Sequence, residues 1–379
     1  MQYKKWCFGI LGVIAAVVLF IAGMNYFVDP FGYFTFQSGD YNDVDFKILD
    51  TQHYQRVLKL QHVLHFKDQY DAYILGGSKT GAFCTEKLQE MDGYRYYNMY
   101  EFQGTLPEYE MLVEFLLENA APKKIIVNFS GAEVHRIVNN NESVVMQNPA
   151  LLTGESQIGE YLDFLMKDVR SSFEVLADQV KNGKPETVHN YTGGERNLDA
   201  LYNSRRGNTQ MTAGNVLRNY ESRLERIFAD TNQAKYSAEC LEVLQNIKSM
   251  CDENGVELMV WFAPTFITGT MDYEGTAYRE YLRKVAAITD FWDFGGYNDI
   301  TMNPYNFFDW GHCYYEVADL VIDTVAGKDS YEGFGYHVTP ENVNEYLKER
   351  QAQFEKLKQE YLETGTVALG SMEDESWIQ

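Results

Sequence analysis

The chain has 379 residues, of which 45% are hydrophobic and 15% aromatic, with 28 tyrosines among them. This length and hydrophobic content can bury one large core or two modest ones. The formal net charge is −23, which argues against nucleic acid as a partner, because phosphate binding relies on lysine and arginine side chains. The abundant tyrosines suit sugar binding, and they suit ordinary packing equally well.

The amino-terminal segment predicts a membrane-spanning helix. Lys4 and Lys5 precede residues 6–24, a run of 19 residues without a charged side chain. As a helix this run spans about 28 Å, close to the hydrocarbon thickness of a bilayer. The positive-inside rule then predicts a cytoplasmic tail at 1–5 and an external remainder, so we expect a single-pass protein of the cell membrane. A cleaved signal peptide is the alternative, although its apolar region is usually shorter and ends in an A-x-A site.

Short apolar strands alternate with amphipathic helices from residue 71 onward. The strand patterns lie at 71–75, 94–98, 124–129, 257–263 and 291–294, and the helix patterns at 105–119, 237–254, 276–289 and 314–325. This alternation is typical of an α/β protein in which helices cover both faces of a parallel sheet. We therefore predict a three-layer fold with a doubly wound parallel sheet.

The alternation is interrupted once, between the third and fourth strands. A polar stretch at about 135–235, rich in asparagine and glycine, carries helix patterns at 160–180 and 214–229. Because substrate selectivity often resides in such connections, we predict a helical cap over the carboxyl edge of the sheet. The predicted boundaries are a connector with one helix at 25–70, the α/β domain at 71–330 and a helical tail at 331–379.

The cysteines predict neither a disulfide nor a metal site. Cys240 and Cys251 fall on one predicted helix, where they would lie about 16 Å apart, too far for a bond. No cysteine pair has the spacing of metal ligands. We expect free thiols, and no metal or other cofactor is predicted.

The stretch YILGGSKTGAF, at 73–83, leaves the first strand through two glycines and places Ser78 at the turn. An ordinary strand-to-helix turn uses the same residues, because glycine tolerates unusual dihedral angles and serine caps helices. The other interpretation is a nucleophile at the carboxyl end of a strand, where open α/β sheets place their active sites. A serine nucleophile needs a base within reach.

His312 is the histidine whose sequence surroundings predict such a base. It lies in FFDWGH, three residues after Asp309, and it follows the fifth strand. In a doubly wound sheet this loop shares the carboxyl edge with Ser78. A carboxylate beside the imidazole fixes its tautomer and stabilises the imidazolium that forms when it takes the serine proton. The predicted catalytic residues are Ser78, His312 and Asp309, and a simple loop hydrogen bond is the alternative interpretation of Asp309 and His312.

These stretches resemble the sequence blocks of the SGNH/GDSL hydrolase superfamily. ILGGSKTG is similar to the first block, YYNMYEFQGT to the second and FFDWGH to the last. The resemblance covers about 71–133 and 237–326, and it implies a flavodoxin-like fold with Ser78 as nucleophile. It also implies that the backbone N–H groups of Ser78 and Gly104 hold the oxyanion. The third block of the family, G-x-N-D, is replaced here by NFSGAEV, so Asn128 or Asn98 is the candidate substitute donor.

The amino-terminal span makes the chain most similar to membrane-anchored, extracellular members of this superfamily. These include the DltD proteins of lipoteichoic acid D-alanylation and enzymes that add or remove acyl groups on bacterial surface polysaccharides. The resemblance implies a serine esterase or O-acyltransferase acting on cell-envelope polysaccharide or teichoic acid. Lys79, beside the nucleophile, is expected either to attract an anionic polymer or to be a solvated side chain.

Two other functions stay open at this point. One is a non-catalytic protein that binds glycan or assembles with a membrane-bound O-acyltransferase, which the missing third-block asparagine favours. The other is a purely structural envelope protein. The serine, histidine and aspartate at the expected places favour the enzyme.

Overall fold

A computed structural model of the protein describes residues 2–34, 55–138, 147–183, 193–196, 214, 216–228, 234–272, 274–328 and 331–369. The chain divides into two compact units, one formed by residues 1–67 and 141–189 and the other by residues 68–140 and 190–379. Parts of the predicted connector (35–54) and of the predicted cap (139–146, 184–192 and 197–213) lie outside the described residues.

The described α-helices and strands follow one another along the chain as the sequence predicted for most of its length. The helices are α1 (Gln2–Val28), α2 (Gln55–Phe66), α3 (Thr85–Asp92), α4 (Leu106–Asn119), α5 (Ala150–Thr153), α6 (Gln157–Leu165), α7 (Arg170–Asn182), α8 (Tyr220–Phe228), α9 (Ser237–Glu253), α10 (Ile267–Met271), α11 (Thr276–Ile288), α12 (Tyr315–Val325) and α13 (Val343–Thr364). The strands are β1 (Ala72–Gly76), β2 (Tyr96–Tyr100), β3 (Lys124–Phe129), β4 (Glu257–Phe262), β5 (Phe291–Asp293) and β6 (Tyr336–Val338).

The first unit is built around α1. The segment Tyr3–Val28 of this helix is long and apolar enough to cross a membrane, a property that a signal sequence shares. The helices α6 and α7 both contact α1, and Phe164 of α6 stacks on Tyr33, just after α1, with ring centroids 4.1 Å apart.

This grouping differs from the predicted domain boundaries. The helix pattern at 160–180 is present as α6 and α7, but residues 141–189 belong to the unit of α1 rather than to an insertion of the α/β domain. An amphipathic pattern shows that a helix has an apolar face, and it does not show which element that face packs against. The cap over the sheet edge stays a prediction.

The second unit contains a mixed six-stranded sheet in the order β2-β1-β3-β4-β5-β6. The first five strands are parallel, and β6 pairs with β5 in the antiparallel direction. The prediction of a wholly parallel sheet is therefore wrong at this edge. The strand β6 lies in the segment predicted as a helical tail, and its three residues are too few to show a strand periodicity.

Helices cover both faces of the sheet. Every residue of β1, β2 and β3 is buried, and successive side chains of a strand point to opposite faces. The helix α9 contacts α4 and α11, and α12 contacts α3. The helix α4 begins with a capping box, in which the Thr105 N–H donates to the Glu108 carboxylate at 2.6 Å. The unit is thus α/β, with the sheet in its core.

The helix α13 packs back on the sheet unit through a buried charge cluster. Its Arg350 donates to Glu274 at 2.6 Å and to Asp293, the last residue of β5, at 2.7 Å. All three side chains are at most 4% exposed. A buried guanidinium needs such paired carboxylates, since an unpaired charge in a protein interior is strongly destabilising.

Candidate active site

The turn after β1 has no room for a side chain at Gly76. The residue has a φ of +157°, and a Cβ there would lie 2.1 Å from Thr80 Oγ1 and 2.5 Å from the carbonyl oxygen of Asn128. Only glycine fits such a close approach. The chain then enters a short 3₁₀ helix, Ser78–Ala82. Ser78 therefore lies at the carboxyl end of β1, whose neighbours are β2 and β3.

The structure brings Ser78, His312 and Asp309 together. Ser78 Oγ lies 2.7 Å from His312 Nε2. The other ring nitrogen, Nδ1, lies 2.8 Å from Asp309 Oδ1 and 3.0 Å from Oδ2. These distances lie within the range over which a general base takes a proton from a hydroxyl group. The order of contacts is that of a serine nucleophile, a base and a group that orients the base.

The loop that carries Asp309 and His312 is held by its own hydrogen bonds. Asp309 Oδ1 accepts from the N–H groups of Gly311 at 2.8 Å and of His312 at 3.0 Å. The N–H of Phe308 donates to the His312 carbonyl at 3.0 Å, and the Phe308 ring stacks on the imidazole with centroids 5.3 Å apart. The loop hydrogen bond that sequence offered as an alternative is thus present together with the contact to the imidazole.

Asp309 is held in its ionised form. Burial opposes ionisation of this carboxyl, but hydrogen bonds from the His312 ring and from the backbone N–H groups of Gly311 and His312 outweigh it and keep its pKa below the usual value. An ionised carboxylate at Nδ1 is the partner that an imidazole needs when it takes up a proton at Nε2.

A shallow cleft lies over Ser78 and His312. The described residues that line it are Ser78, Lys79, Ala82, Arg196, Phe308, His312 and Cys313. The cleft combines two cationic side chains with apolar walls. Neither Gly104 nor Asn128 is among its lining residues.

The ammonium group of Lys79 is held inside the protein, so neither expectation, a solvated side chain or one that attracts an anionic polymer, is supported. Its Nζ donates to the Ser130 carbonyl at 3.2 Å, just after β3, and to Thr265 Oγ1 at 2.9 Å, just after β4. Burial lowers the pKa of Lys79 to about 8, although the nearby carboxylates of Glu133 and Asp309 oppose this shift. The ammonium group links the ends of β1, β3 and β4 beneath the cleft.

Arg196 is the charged residue among those lining this cleft that the sequence did not predict. Its backbone N–H donates to the Gly81 carbonyl at 2.9 Å, and Tyr315 donates to its carbonyl at 2.7 Å. Its guanidinium lies over the rings of Phe102 and Phe308, at 5.3 and 5.9 Å from their centroids. Its Nε is buried without an acceptor in the part of the chain that the structure describes. A guanidinium with unused donors favours a carboxylate or phosphate ligand.

The predicted oxyanion donors have different surroundings. Ser78 is the first residue of its 3₁₀ helix, where an N–H has no acceptor within the helix. The Gly104 N–H faces the Glu101 carbonyl at a long 3.4 Å. A Cβ at Gly104 would lie 2.8 Å from Tyr109 Cε1, and a Cβ at Gly77 would lie 3.3 Å from the hydroxyl of the same tyrosine. Gly104 and the turn that carries Ser78 therefore lie against the same tyrosine, Tyr109.

The two asparagines proposed as substitute oxyanion donors, Asn98 and Asn128, donate hydrogen bonds to the turn that follows Ser78. Asn128 donates to Thr80 Oγ1 at 3.0 Å, and Asn98 donates to the carbonyls of Thr80 at 2.9 Å and Phe83 at 3.0 Å. Both side chains are buried. Their observed hydrogen bonds hold the Ser78–Ala82 helix in place.

The segment at the third sequence block contains a carboxylate. Glu133 Oε1 accepts from the Ser130 N–H at 2.8 Å and from the Ser130 hydroxyl at 3.1 Å. An ionised carboxylate only accepts hydrogen bonds, so Glu133 in that form cannot replace the amide donor of the family. Glu133 instead holds Ser130 in place, and the carbonyl of Ser130 accepts a hydrogen bond from Lys79.

No protein-family model matches this chain, and no curated protein matches its sequence. The function therefore has to be inferred from the geometry of the site.

The tight turn gives a stability test with a matched control. Replacing Gly76 by alanine should lower the free energy of unfolding by at least about 2 kcal/mol, because strained backbone alone costs about 1–3 kcal/mol and the Cβ would also clash. Gly77→Ala should change it by less than about 1 kcal/mol, since Gly77 has a φ of −74° and its Cβ would meet one side-chain atom, the Tyr109 hydroxyl, at 3.3 Å. Urea unfolding followed by tryptophan fluorescence measures both. Equal effects of the two substitutions would contradict a closed turn at Gly76.

Proposed function

We propose that the protein is a membrane-anchored, extracellular serine esterase or O-acyltransferase of SGNH-like type, acting on acyl groups of cell-envelope polysaccharide or teichoic acid. The observation that carries the proposal is the continuous contact from Ser78 Oγ to His312 Nε2, at 2.7 Å, and from His312 Nδ1 to Asp309, at 2.8 Å. The three residues come from two loops, one after β1 and one after β5, and Ser78 and His312 line one cleft.

The proposed reaction has two acyl-transfer steps. Ser78 Oγ attacks the acyl carbonyl while His312 Nε2 takes the hydroxyl proton, and the Asp309 carboxylate stabilises the imidazolium. His312 then returns this proton to the departing oxygen, which leaves an acyl ester on Ser78. Water or a sugar hydroxyl attacks that ester, with His312 again taking a proton and returning it to Ser78. The N–H groups of Ser78 and Gly104 are the proposed oxyanion donors.

The strand order supports the SGNH-like part of the proposal. The five parallel strands have the order 2-1-3-4-5, which is the order of flavodoxin-like sheets. In such sheets ligands bind at the switch point between the first and third strands, outside their carboxyl ends. Ser78 follows β1, and Lys79 bonds to Ser130 directly after β3, so the candidate nucleophile lies at that point.

Packing around Asn25 supports a retained anchor rather than a cleaved signal peptide. Its fully buried side chain donates to the carbonyls of Leu165 at 3.0 Å and Lys167 at 2.6 Å, and it accepts from the Ser172 hydroxyl at 2.8 Å. Cleavage near Met24 would remove the helix that holds Asn25 in this position. The lysines before the span support a cytoplasmic amino terminus and an external sheet unit.

Arg196 supports an anionic substrate. Its guanidinium lies in the cleft with Ser78 and His312, and Lys79 uses its donors inside the protein. Phosphate groups of a teichoic acid, or carboxylates of an acidic polysaccharide, match a planar guanidinium. Arg196 is therefore the residue that we propose to hold such a polymer beside the nucleophile.

A non-catalytic partner of a membrane-bound O-acyltransferase is the second candidate function. The observation that favours it is Glu133, a hydrogen-bond acceptor in the block where the family supplies a donor. Loss of one oxyanion donor costs about 10²–10³ in rate. Ligand binding without turnover would then be the function of the cleft.

Substitutions of the three proposed catalytic residues separate the two candidates. In the purified full-length protein, Ser78→Ala and His312→Ala should each remove nearly all hydrolysis of 4-nitrophenyl acetate. The double variant should be little worse than either, because such residues act as a unit. Asp309→Asn should lower kcat by about 10⁴-fold or less. Full polysaccharide acylation in cells that carry only Ser78→Ala would contradict the enzyme and support the partner.

Arg196 should distinguish charged from neutral substrates. Arg196→Gln should lower kcat/KM about 10–100-fold for an ester that carries a phosphate, because a hydrogen bond to a charged group contributes about 1.5–3 kcal/mol. A neutral ester of the same acyl group should lose much less. Arg196→Lys keeps the charge but not the planar arrangement of donors. Its kcat/KM for the phosphate-bearing ester should lie between that of the wild type and that of Arg196→Gln. Equal losses for both esters would show that Arg196 has no role in anion recognition.

A further inference from the structure

Two helices of the unit around α1 expose rows of apolar side chains. The apolar rows are Ile158 and Leu162 on α6 with Met166 directly after it, and Phe173, Leu176 and Val180 on α7. Their exposed fractions run from 39% at Leu176 to 89% at Val180. Both rows follow helical spacing, so each forms a continuous stripe along its helix. Contiguous apolar stripes in an otherwise acidic protein indicate contact with another apolar phase.

The helix α7 has three distinct faces. Ser172 and Val175 are buried, Glu174 and Lys181 are exposed on a charged face, and the apolar row lies between these two faces. At 100° per residue, Glu174 and Lys181 fall within about 20° of each other and about 100° from Phe173. In an ordinary amphipathic helix the apolar face is the buried one. The helix α7 has a second apolar face, which is exposed.

The contact with α1 gives the depth of this row. The rings of Phe173 and Phe20 lie with their centroids 6.4 Å apart. Phe20 belongs to the charge-free segment 6–24 and precedes its end by four residues. Along the helix axis, Phe20 therefore lies about 6 Å inside the end of that segment. Helices that lie in a membrane interface bury their apolar faces about 5–10 Å into the boundary between headgroups and acyl chains.

Aromatic contacts also join α6 to the segment that follows α1. Tyr33, which follows the span, stacks on Phe164 and lies 6.2 Å from Tyr161 between ring centroids. Its hydroxyl donates to Glu160 at 3.1 Å. Tyrosine is enriched at the membrane–water interface, and Tyr33 itself is buried against α6. The helix α6 therefore packs against the segment that directly follows α1.

We infer that α6 and α7 are interfacial helices, which insert their apolar rows into the lipid leaflet around the emerging end of α1. This inference rests on the proposal that α1 is a retained anchor. We assign lipid as the partner of these rows because they continue the apolar surface of α1. The membrane-crossing segment of α1 is itself not buried by other parts of the protein. The paired helices fix the tilt of α1, and the first residues after the span stay close to the bilayer.

Nitroxide labels at neighbouring positions test the inference. The full-length chain, with Cys7 and Cys84 replaced by serine, retains three cysteines, all of them buried. It receives a single label at Leu176→Cys or, as the matched control, at Glu174→Cys, and is reconstituted into vesicles of phosphatidylcholine and phosphatidylglycerol. The ratio of accessibility to oxygen over accessibility to a water-soluble nickel chelate should be several-fold higher at 176 than at 174. The pair Leu162→Cys and Asp163→Cys should behave in the same way.

Three results would overturn the inference. Equal access of the nickel chelate to both positions of a pair would place the rows in water. A label at 176 that neither reagent reaches would mean that a protein, such as a second copy, covers the row. Failure of the protein to float with the vesicles would overturn the anchor and the inference together, whereas flotation with a water-exposed row would overturn the inference alone.

A measurement on the unmodified chain excludes an effect of the label. A phospholipid with a photoreactive group in its acyl chain should crosslink to peptides from 157–182 as well as to α1. Crosslinks confined to α1 would contradict the interfacial position of α6 and α7.

Discussion

The site depends on the close approach of backbone at the end of β1. Gly76 leaves no space for a Cβ between Thr80 and the carbonyl of Asn128, so the chain must turn into the short 3₁₀ helix at this residue. Asn98 and Asn128 then hold that helix through buried hydrogen bonds. The Ser78 hydroxyl is fixed by this framework at hydrogen-bonding distance from a histidine that comes 234 residues later.

The charges around the cleft serve separate purposes. Lys79 donates to groups that follow β3 and β4, and it therefore holds strand ends together. Asp309 stays ionised against the imidazole. Arg196 lines the cleft beside Ser78 and His312, and its buried Nε has no acceptor among the described residues. Under the proposed function, this cation would offset the repulsion between an anionic polymer and a chain of net charge −23.

Sequence patterns predicted those features that local rules determine. The strands were recognisable as buried apolar runs, and Ser78 and His312 could be paired because parallel strands bring their carboxyl ends to one edge. Tertiary contacts determine the rest. The direction of Lys79 depends on Ser130 and Thr265, and the place of Arg196 depends on its hydrogen bond to Gly81. The amphipathic patterns of α6 and α7 could not show that these helices pack against α1. The strand β6 has only three residues, which are too few to show the alternation of a strand.

The reactivity of Ser78 toward a fluorophosphonate tests the central claim most directly, because the reagent needs an activated serine but no knowledge of the substrate. The account predicts that the folded, full-length protein is labelled at Ser78, as located by mass spectrometry of its peptides. Labelling should be lost in Ser78→Ala and strongly reduced in His312→Ala. A folded wild-type protein that takes up no label, or labelling that persists in Ser78→Ala, would contradict the assignment of Ser78 as the nucleophile.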